Sequence, residues 1–578
     1  MTSDGHEKLA AALDARSLSF PVEPDDAAEE DPFDADPDAA PEPTFPQSVA
    51  SGGPESTGVV VWTRIDPEAY REDQPLGIEV AHDPDFDEVV YRGTVTAEHV
   101  TPEHDYAVSV DLLGLLDPDR FYHYRFTYDG VRSRVGRCRT LPAADASPDS
   151  LRLAVLTCQD YTNGYYGAYH RVAEEDVDFV VHVGDFIYES VAGDYKGLGS
   201  PDLPDRDLEL PSGHDLAWTL EDYRYLYRAY RSDEHLQEAL ERHTIIAARD
   251  DHEFTDNVHW DPDAGAPRGP EHPRGRDPEF MLGLAADALT AWWEYMPSRI
   301  GYDPEADSFG ERYRLWQSFA FGDLVDLVMT DERLYRDPPR NADNHLPAWF
   351  PLSFGHDAPE RSMLGDDQRE WFLDEVRDSE ATWTVWSDEV LTVPFRVGVG
   401  PLSLHPSESG WDGYGYERRL ITDEVARADI ENFVTLTGDM HCYIASYQQT
   451  TYENPFSHVF GGEPANTDHR VGVEFMTPAI TSVTVSEGLG ASGGLWGSVS
   501  ETLLSPFVRA QNPHIEFFDS HHWGYSVVEF TPEECTYTAY SVDKLDDSSD
   551  PDTELMVALR VPEGRVEIQD RSLDETDV

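Results

Sequence analysis

Side chains that can bind cations follow several of the predicted apolar strands, directly where each strand ends. They are the thiol of Cys158, the carboxylate and phenol of Asp185 and Tyr188, the run Asp250, Asp251 and His252, the carboxylate of Asp388, and the pair Asp439 and His441. In open α/β folds the carboxyl ends of the strands gather ligands at one edge, so we expect these groups to lie together. Burying so many charged groups is unfavourable unless cations neutralise them. The pattern therefore predicts a metal-binding site.

Each of these residues also has an ordinary structural interpretation. A single cysteine after a strand, such as Cys158, is usually a small buried apolar residue, and a single aspartate is usually a turn former or a helix N-cap. His252 or His441 alone would more often be a hydrogen-bonded core residue. The coincidence of three motifs favours the metal site, because GDFIY, DDHE and GDMH each come directly after an apolar strand.

The strands that position these residues belong to an α/β pattern. From residue 150 to residue 578, nearly continuous apolar strands such as LRLAVLTC, FVVHVG and FVTLTGD alternate with helical stretches such as DDQREWFLDEVR. Such strands are typical of sheets that helices cover on both faces. Residues 44–143 instead show short period-two runs between Pro, Gly and Asp, which predict an N-terminal β-sandwich. Residues 1–43 are polar and rich in Asp, Ala and Pro, and we expect a disordered acidic leader.

The composition excludes some classes of function. The 578 residues include 114 Asp+Glu against 42 Lys+Arg, and the net charge of −72 excludes a basic nucleic-acid-binding surface. Aromatic residues make up 11% of the chain, which indicates a globular protein. The lysines are Lys8, Lys196 and Lys544. An acidic, lysine-poor surface is typical of halophilic proteins, because molar salt screens the repulsion among carboxylates.

The remaining sequence signals concern compartment and assembly. The four cysteines are too widely spaced for a disulfide framework or a CxxC zinc site. No run approaches the ~18 apolar residues of a membrane span, and the N-terminus has neither an apolar signal region nor a twin arginine. These signals predict a cytoplasmic protein without a membrane span. A monomer is compatible with the sequence, which leaves the oligomeric state open.

The three motifs resemble those of the calcineurin-like and purple-acid-phosphatase metallophosphoesterases, which carry GDxxY, GNHE and GHxH in this order. Two departures from these motifs point to the PhoD-type alkaline phosphatases/phosphodiesterases. Cys158 stands in place of the first aspartate, and Asp439 stands in place of the first histidine of the last motif. The segments that carry this narrower resemblance are TCQDYTNGYYGAYHRVAEEDVDFVVHVGDFIYE, DDHEFTDN, AWWEYMPSR, FGDLVDLVMTDERLYR, GWDGYGYER and NPHIEFFDSHHWGY. The opening FPQSVASGGPESTGVVVWTRIDP resembles the N-terminal sandwich of that family.

The resemblance implies a fold and a metal content. The catalytic domain would be a four-layer sandwich of two β-sheets flanked by helices, preceded by an immunoglobulin- or fibronectin-like β-sandwich. Its site would hold one Fe(III) and two Ca²⁺. Thiolate, phenolate and imidazole groups suit Fe(III), whereas carboxylate and carbonyl oxygens suit Ca²⁺. The metal ligands implied are Cys158, Asp185, Tyr188, Asp251, Asn257, Asp439 and His441, with Asp185 as the candidate bridge between metals.

The reaction that the resemblance implies is hydrolysis of small phosphomonoesters, phosphodiesters or both by a metal-activated water. Asp185 and His252 are the predicted catalytic residues, with His252 contacting the phosphate or assisting the leaving group. An arginine pair found in relatives is missing here. We expect Arg299 or Arg333 to bind the phosphate instead, although each could equally be a structural ion-pair residue. Trp411 is a candidate for substrate contact, with core or loop packing as its alternative.

A function of another class stays open at this point. A catalytically silent relative could use its sandwich and a metal-free pocket for binding. The retained metal-ligand residues argue against this alternative, and the missing arginine pair argues weakly for it. Members of the family are usually exported, whereas the N-terminus here shows no signal region, so the compartment stays open between the cytoplasm and export.

Overall fold

The computed structural model describes most of the chain. The described ranges are 3–16, 18–26, 33–36, 38–193, 196–197, 200–299, 301–303, 305–306, 309–339, 361–396, 410–452, 469–488 and 494–571. Within them the chain forms a mixed α/β structure with several sheets and many helices. A search of these ranges for a helix of the length and apolar character that a membrane span needs finds none.

The helices and strands alternate along the chain from about residue 150 onward. The α-helices are α1 (Ser3–Asp14), α2 (Gly167–Glu174), α3 (Leu220–Tyr230), α4 (Glu234–Arg242), α5 (Pro278–Tyr295), α6 (Phe309–Arg312), α7 (Asp366–Asp378), α8 (Gly415–Arg427), α9 (Val485–Gly488) and α10 (Gly494–Gln511). The N-terminal strands are β1 (Asp25–Asp26), β2 (Val49–Glu55), β3 (Gly58–Arg64), β4 (Leu76–Ala81), β5 (Val89–Val95), β6 (Ala107–Asp111), β7 (Phe121–Tyr128), β8 (Val131–Arg132) and β9 (Gly136–Arg139). The later strands are β10 (Leu151–Leu156), β11 (Phe179–His182), β12 (Thr244–Ala247), β13 (His259–Asp261), β14 (Ala266–Arg268), β15 (Gly301–Tyr302), β16 (Tyr313–Arg314), β17 (Gln317–Phe321), β18 (Val325–Met329), β19 (Trp383–Ser387), β20 (Phe433–Thr437), β21 (Tyr443–Gln449), β22 (Arg470–Met476), β23 (Ile515–Asp519), β24 (Gly524–Phe530), β25 (Glu534–Val542), β26 (Thr553–Pro562) and β27 (Gln569–Asp570).

Two large sheets carry the strands that precede the predicted site residues. The first has ten strands in the order β27-β26-β25-β24-β10-β11-β12-β2-β3-β6, and β10, β11 and β12 run parallel. The second has seven strands in the order β17-β18-β19-β20-β22-β21-β23, and β18, β19 and β20 run parallel. The carboxyl ends of each parallel set therefore lie side by side, as the sequence pattern predicts.

The two sheets share one apolar core, and helices cover their other faces. Leu153 and Val181 of the first sheet pack in the same cluster as Leu327 and Val434 of the second. Residues of α2 to α5 pack with the opposite face of β10 to β12, and residues of α7 and α8 pack with the second sheet. Because these strands are buried on both faces, they read in the sequence as continuous apolar runs rather than alternating ones.

Some of the N-terminal strands are joined to the first large sheet. Strand β2 pairs in parallel with β12 at Ile245 and Gly52, and β3 and β6 extend the same sheet. A separate sheet of β1, β5, β4, β7, β8 and β9 packs against β2, β3 and β6 around one apolar core. The N-terminal region thus packs as two sheets, one of which continues into the sheet of the site.

The prediction of a disordered leader over 1–43 is wrong for much of the described part of that segment. Helix α1 buries Leu9 and Leu13 completely, and Arg16 forms an ion pair with Asp287 of α5. Farther along, β1 pairs with β5. The average composition of the segment hid the helical run EKLAAALDA, whose two leucines are four residues apart and therefore share one face.

Candidate metal centre

The predicted metal ligands lie on the loops that directly follow β10, β11, β12 and β20. Five of them adopt the left-handed backbone region: Cys158 (φ 57°), Asp185 (φ 60°), Asn257 (φ 56°), Asp439 (φ 65°) and His441 (φ 51°). A positive φ is uncommon for residues other than glycine and clusters at functional sites, where the surrounding structure holds the strain. The strand ends therefore turn sharply at the ligand positions.

Glycines of the motifs allow these loops to approach one another. A Cβ atom on Gly184, which has φ +102°, would lie 2.4 Å from Asp250 Cβ. A Cβ atom on Gly438 would lie 2.5 Å from Thr157 Oγ1. Neither position has room for a side chain, so the glycine of each GD motif is required for the packing of its neighbouring loop.

A thiol, a phenol and an imidazole converge on Asp185. Cys158 Sγ and Tyr188 Oη lie 3.3 and 3.1 Å from Asp185 Oδ2, and His441 Nε2 lies 3.3 Å from Tyr188 Oη. Cys158, Asp185 and His441 could hold one metal ion, because one ligand atom of each lies within 4.8 Å of the others. The structure thus brings together four of the predicted ligands.

Asp185 also belongs to a second group of possible ligands. It forms this group with Asp251 and His252, again with ligand atoms within 4.8 Å of one another. Asn257 joins Asp251 through its backbone N–H, which donates to Asp251 Oδ2 at 2.8 Å. Two adjacent groups that share one carboxylate can hold neighbouring metal ions with that carboxylate between them.

The ionisation of these groups reflects their burial. Burial, together with the charge of Asp185, raises the pKa of the Cys158 thiol and of the Tyr188 phenol well above their ordinary values. Burial raises the pKa of Asp250 to about 8 and lowers that of His441. Without a metal ion the thiol and phenol are therefore protonated, and a bound cation would be needed to hold them as anionic ligands.

His252 differs from His441 in the direction of its pKa shift. Burial alone would lower its pKa, but the nearby charges of Asp185, Glu189 and Asp251 outweigh burial and raise the pKa well above its usual value. Its Nδ1 lies 2.8 Å from Glu189 Oε2, and its ring stacks on Tyr188 with the ring centroids 4.1 Å apart. The neighbouring carboxylates thus favour the charged form of the ring, and Glu189 and Tyr188 fix its orientation.

Three supporting contacts were not predicted from the sequence. Glu253 accepts from the backbone N–H of Phe186 at 2.6 Å and of Asp250 at 2.8 Å, which ties two ligand loops together. Glu189 orients His252, and His441 Nδ1 donates to the Val483 carbonyl at 2.5 Å, so that Nε2 faces the site. Such partners fix the orientation of metal ligands. The glutamates were visible as the last letters of GDFIYE and DDHE.

The three predicted substrate-binding residues have other contacts in the structure. Arg333 is 1% exposed and forms ion pairs with Asp250, Asp251 and Asp439. Arg299 forms an ion pair with Asp111 of the N-terminal strands. These contacts fit the structural ion-pair interpretation that the sequence left open for both arginines.

Trp411 is a core residue rather than an exposed substrate contact. It is fully buried, its ring packs edge-on against Trp386, and its Nε1 donates to Asp388 Oδ2 at 2.7 Å. Asp388 itself lies with Glu332 and Glu389 in a third group of carboxylates. The strand-end pattern therefore predicted correctly that Asp388 follows β19, but the structure places it outside the groups around Asp185.

Comparison with known proteins identifies the family of this arrangement. Residues 153–539 match the family described as PhoD-like phosphatase, and residues 30–142 match its N-terminal domain. The chain belongs to the PhoD-like phosphatase family. Alkaline phosphatase D of Bacillus subtilis (strain 168) is 31% identical over 496 residues, which cover 85% of this chain and 76% of that protein. A solved structure of PhoD superposes with a TM-score of 0.76 at 27% identity and covers 93% of each chain.

Membership of the PhoD-like phosphatases agrees with the chemistry of the site. The resemblance carried by the sequence motifs is confirmed, including the N-terminal segment. The family is metal-dependent, and the groups around Asp185 are candidate metal-binding clusters.

Proposed function

We propose that this chain is a metal-dependent phosphoric-ester hydrolase, an alkaline phosphatase or phosphodiesterase of PhoD type that acts on small phosphate esters. The observation that supports this most directly is the convergence on Asp185 of a thiol, a phenol, an imidazole and a second carboxylate. Family membership supports the same reaction class. The retained metal-ligand residues argue against the binding-protein alternative.

The finer architecture is part of this proposal. The catalytic domain, from residue 150 onward, is a four-layer sandwich in which helices flank two sheets with a shared core. The N-terminal domain, residues 44–143, is a sandwich of immunoglobulin or fibronectin type. The strand pairing between β2 and β12 supports treating the two domains as one structural body.

The residues fit one iron and two calcium ions. Cys158, Tyr188 and His441 would hold Fe(III), because thiolate, phenolate and imidazole donors suit that ion. Asp251, Asn257 and Asp439 would hold Ca²⁺ through oxygen atoms, and Asp185 would lie between the metals. The buried, protonated thiol and phenol support this assignment, since such groups become favourable anions only beside a cation.

The residues of the chain have distinct roles in the proposed reaction. Metal ions bound there would polarise the phosphoryl oxygens and lower the pKa of a water molecule. His252, held by Glu189 and with its pKa raised by the surrounding carboxylates, contacts the phosphate or donates a proton to the leaving oxygen. Arg333 orients the carboxylates of Asp251 and Asp439, and its contact with substrate stays a prediction.

The first test is elemental analysis of protein purified in molar KCl, with hydrolysis of a chromogenic phosphomonoester and phosphodiester measured with and without added calcium. Iron near one per chain and calcium-dependent turnover are expected, and the faster ester shows the preference. Protein that contains no iron and stays inactive after iron and calcium are supplied would favour the binding-protein alternative.

Replacing Cys158 with alanine should lower the iron content by about tenfold or more while the fold is retained. The thiol is the softest donor of the group, and its removal leaves only a small buried cavity. Elemental analysis and circular dichroism measure the two effects. Cys442→Ala is the matched control, because Cys442 is equally buried but contacts Met476 Sδ at 3.7 Å. Unchanged iron in Cys158→Ala would remove this thiol from the site.

Replacing Glu189 with glutamine should shift the alkaline limb of the kcat/KM profile to lower pH by about one unit. Because its pKa is raised, His252 keeps its proton up to a higher pH than an ordinary histidine. It loses the proton as the pH rises through that pKa. Removing the charge of Glu189 lowers the pKa, whereas the amide oxygen can still accept from Asp256 N–H. Glu529→Gln, on strand β24, is the control. An unmoved alkaline limb would contradict the role of His252 as proton donor.

A further inference from the structure

Three carboxylates outside the proposed metal centre face one another in the protein interior. Glu332 follows β18 by three residues, and Asp388 and Glu389 directly follow β19. All three residues are 0% exposed. One carboxylate oxygen of each lies within 4.8 Å of one oxygen of each of the others. The ends of two parallel strands thus bring three acidic groups to one buried point.

Two oxygen atoms of this group have no hydrogen-bond partner. The backbone N–H of Glu332 donates to Glu389 Oε2 at 3.0 Å, and the backbone N–H of Glu389 donates to Glu332 Oε2 at 3.4 Å. The second oxygen of each glutamate, Oε1, is buried and unpartnered. A buried unsatisfied acceptor costs about 1–3 kcal/mol, and more when it is charged. Two such atoms in one group point to a ligand that satisfies both.

The neighbouring side chains compensate these carboxylates only in part: Thr330 makes a neutral side-chain hydrogen bond to Glu332, and the charge of Arg333 acts on Glu332 without an ion pair. Arg333, the next residue after Glu332, forms its ion pairs with three aspartates of the metal centre. Asp388 accepts from the Val390 backbone N–H at 2.8 Å and from Trp411 Nε1 at 2.7 Å, and both donors are neutral. Burial raises the pKa of Glu332 and of Asp388 well above their ordinary values, which expresses how unfavourable the uncompensated charges are.

We propose that Glu332, Asp388 and Glu389 bind a divalent cation of the calcium class, distinct from the ions proposed around Asp185. The donors are all oxygen atoms, which excludes a preference for soft transition metals. Ca²⁺ takes six to eight oxygens in flexible geometry, and three carboxylates offer up to six. The cation ties the end of β18 to the end of β19. The cation neutralises the carboxylate of Glu332, which precedes Arg333 in the chain. The Arg333 guanidinium therefore stays paired with the aspartates of the metal centre.

The first test is the calcium content of the double variant Glu332→Gln/Glu389→Gln. Glutamine keeps the size of each side chain and an oxygen that accepts the backbone hydrogen bond, but removes both charges. Elemental analysis should show one calcium per chain fewer than in the parent protein and the same iron content. The matched control Asp326→Asn alters a carboxylate outside the candidate clusters and should retain the calcium content of the parent protein. Equal calcium in the double variant and the parent would overturn the proposal in favour of protonated carboxyl groups.

A second test needs neither glutamine substitution and remains informative if the double variant does not fold. Terbium(III) replaces calcium at oxygen sites, and the Trp411 indole next to Asp388 should sensitise its luminescence. Trp411→Phe should lower the indole-sensitised emission by about half or more while the number of terbium ions bound per chain stays the same. Absent sensitised emission at saturating terbium, or emission that Trp411→Phe leaves unchanged, would contradict a cation at this position.

Discussion

Asp185→Asn should abolish metal binding at both groups of the centre and lower kcat/KM by about 10³-fold or more. The carboxylate of Asp185 is the one donor that both groups share. Metal ions contribute several kcal/mol of charge stabilisation in phosphoryl transfer, and about 4 kcal/mol corresponds to 10³ in rate. Asparagine preserves the shape of the side chain but removes its charge. Iron and calcium contents, together with steady-state kinetics, measure the two losses.

The control for this variant is Asp326→Asn. Asp326 is a partly buried carboxylate on β18 that accepts from Ser379 Oγ at 2.7 Å, outside the candidate clusters. The Asp326→Asn variant should keep the iron content, the calcium content and the turnover rate of the parent protein. If Asp185→Asn retains metals and turnover, Asp185 does not bridge them.

The second large effect concerns stability. Arg333→Met should destabilise metal-free protein by about 3–5 kcal/mol, because removing one partner of a buried ion pair leaves the other charge uncompensated. Here three aspartates lose their guanidinium, and one of them, Asp250, is itself 1% exposed. The expected result is a lower urea midpoint after treatment with a chelator. Bound metals should reduce the difference, since they neutralise the same carboxylates.

The control for Arg333 is an exposed ion pair. Arg377 on α7 is 42% exposed and pairs with Asp374 at 3.0 Å. Replacing Arg377 with methionine should lower the free energy of unfolding by about 1 kcal/mol or less. Arg333→Lys should be intermediate, because an ammonium keeps the charge but cannot reproduce the fork of the guanidinium. Equal urea midpoints for Arg333→Met and Arg377→Met would exclude a stabilising role for the ion pairs of Arg333.

The sequence predicted which residues meet at the site better than it predicted what they contact. Cys158, Tyr188 and His441 could be found because each belongs to a motif that ends an apolar strand. Arg333 and Trp411 could not be assigned, because an arginine or tryptophan in a loop has the same local pattern whether it faces substrate or the interior. Only the three-dimensional partners, three aspartates for Arg333 and Asp388 for Trp411, separate these cases.

The fold was predictable where the pattern is local. Continuous apolar runs indicated the buried strands, whereas the pairing of Gly52 with Ile245 joins residues almost two hundred positions apart, and no periodicity records it. The prediction of a disordered leader failed for a different reason. Helix α1 is stabilised by burying Leu9 and Leu13 against the rest of the protein, and composition does not report such tertiary contacts.

Five predicted ligands have a left-handed backbone, so selection for thermostability would act against metal binding in this protein. Each strained residue costs on the order of 1–3 kcal/mol, and glycine would relieve that strain. A library screened only for heat resistance would therefore enrich glycine at Cys158 and His441, where no aspartate or asparagine eases the conformation. Such variants would survive heating and lack a proposed metal ligand, so a selection for useful thermostable variants must score turnover in the same round.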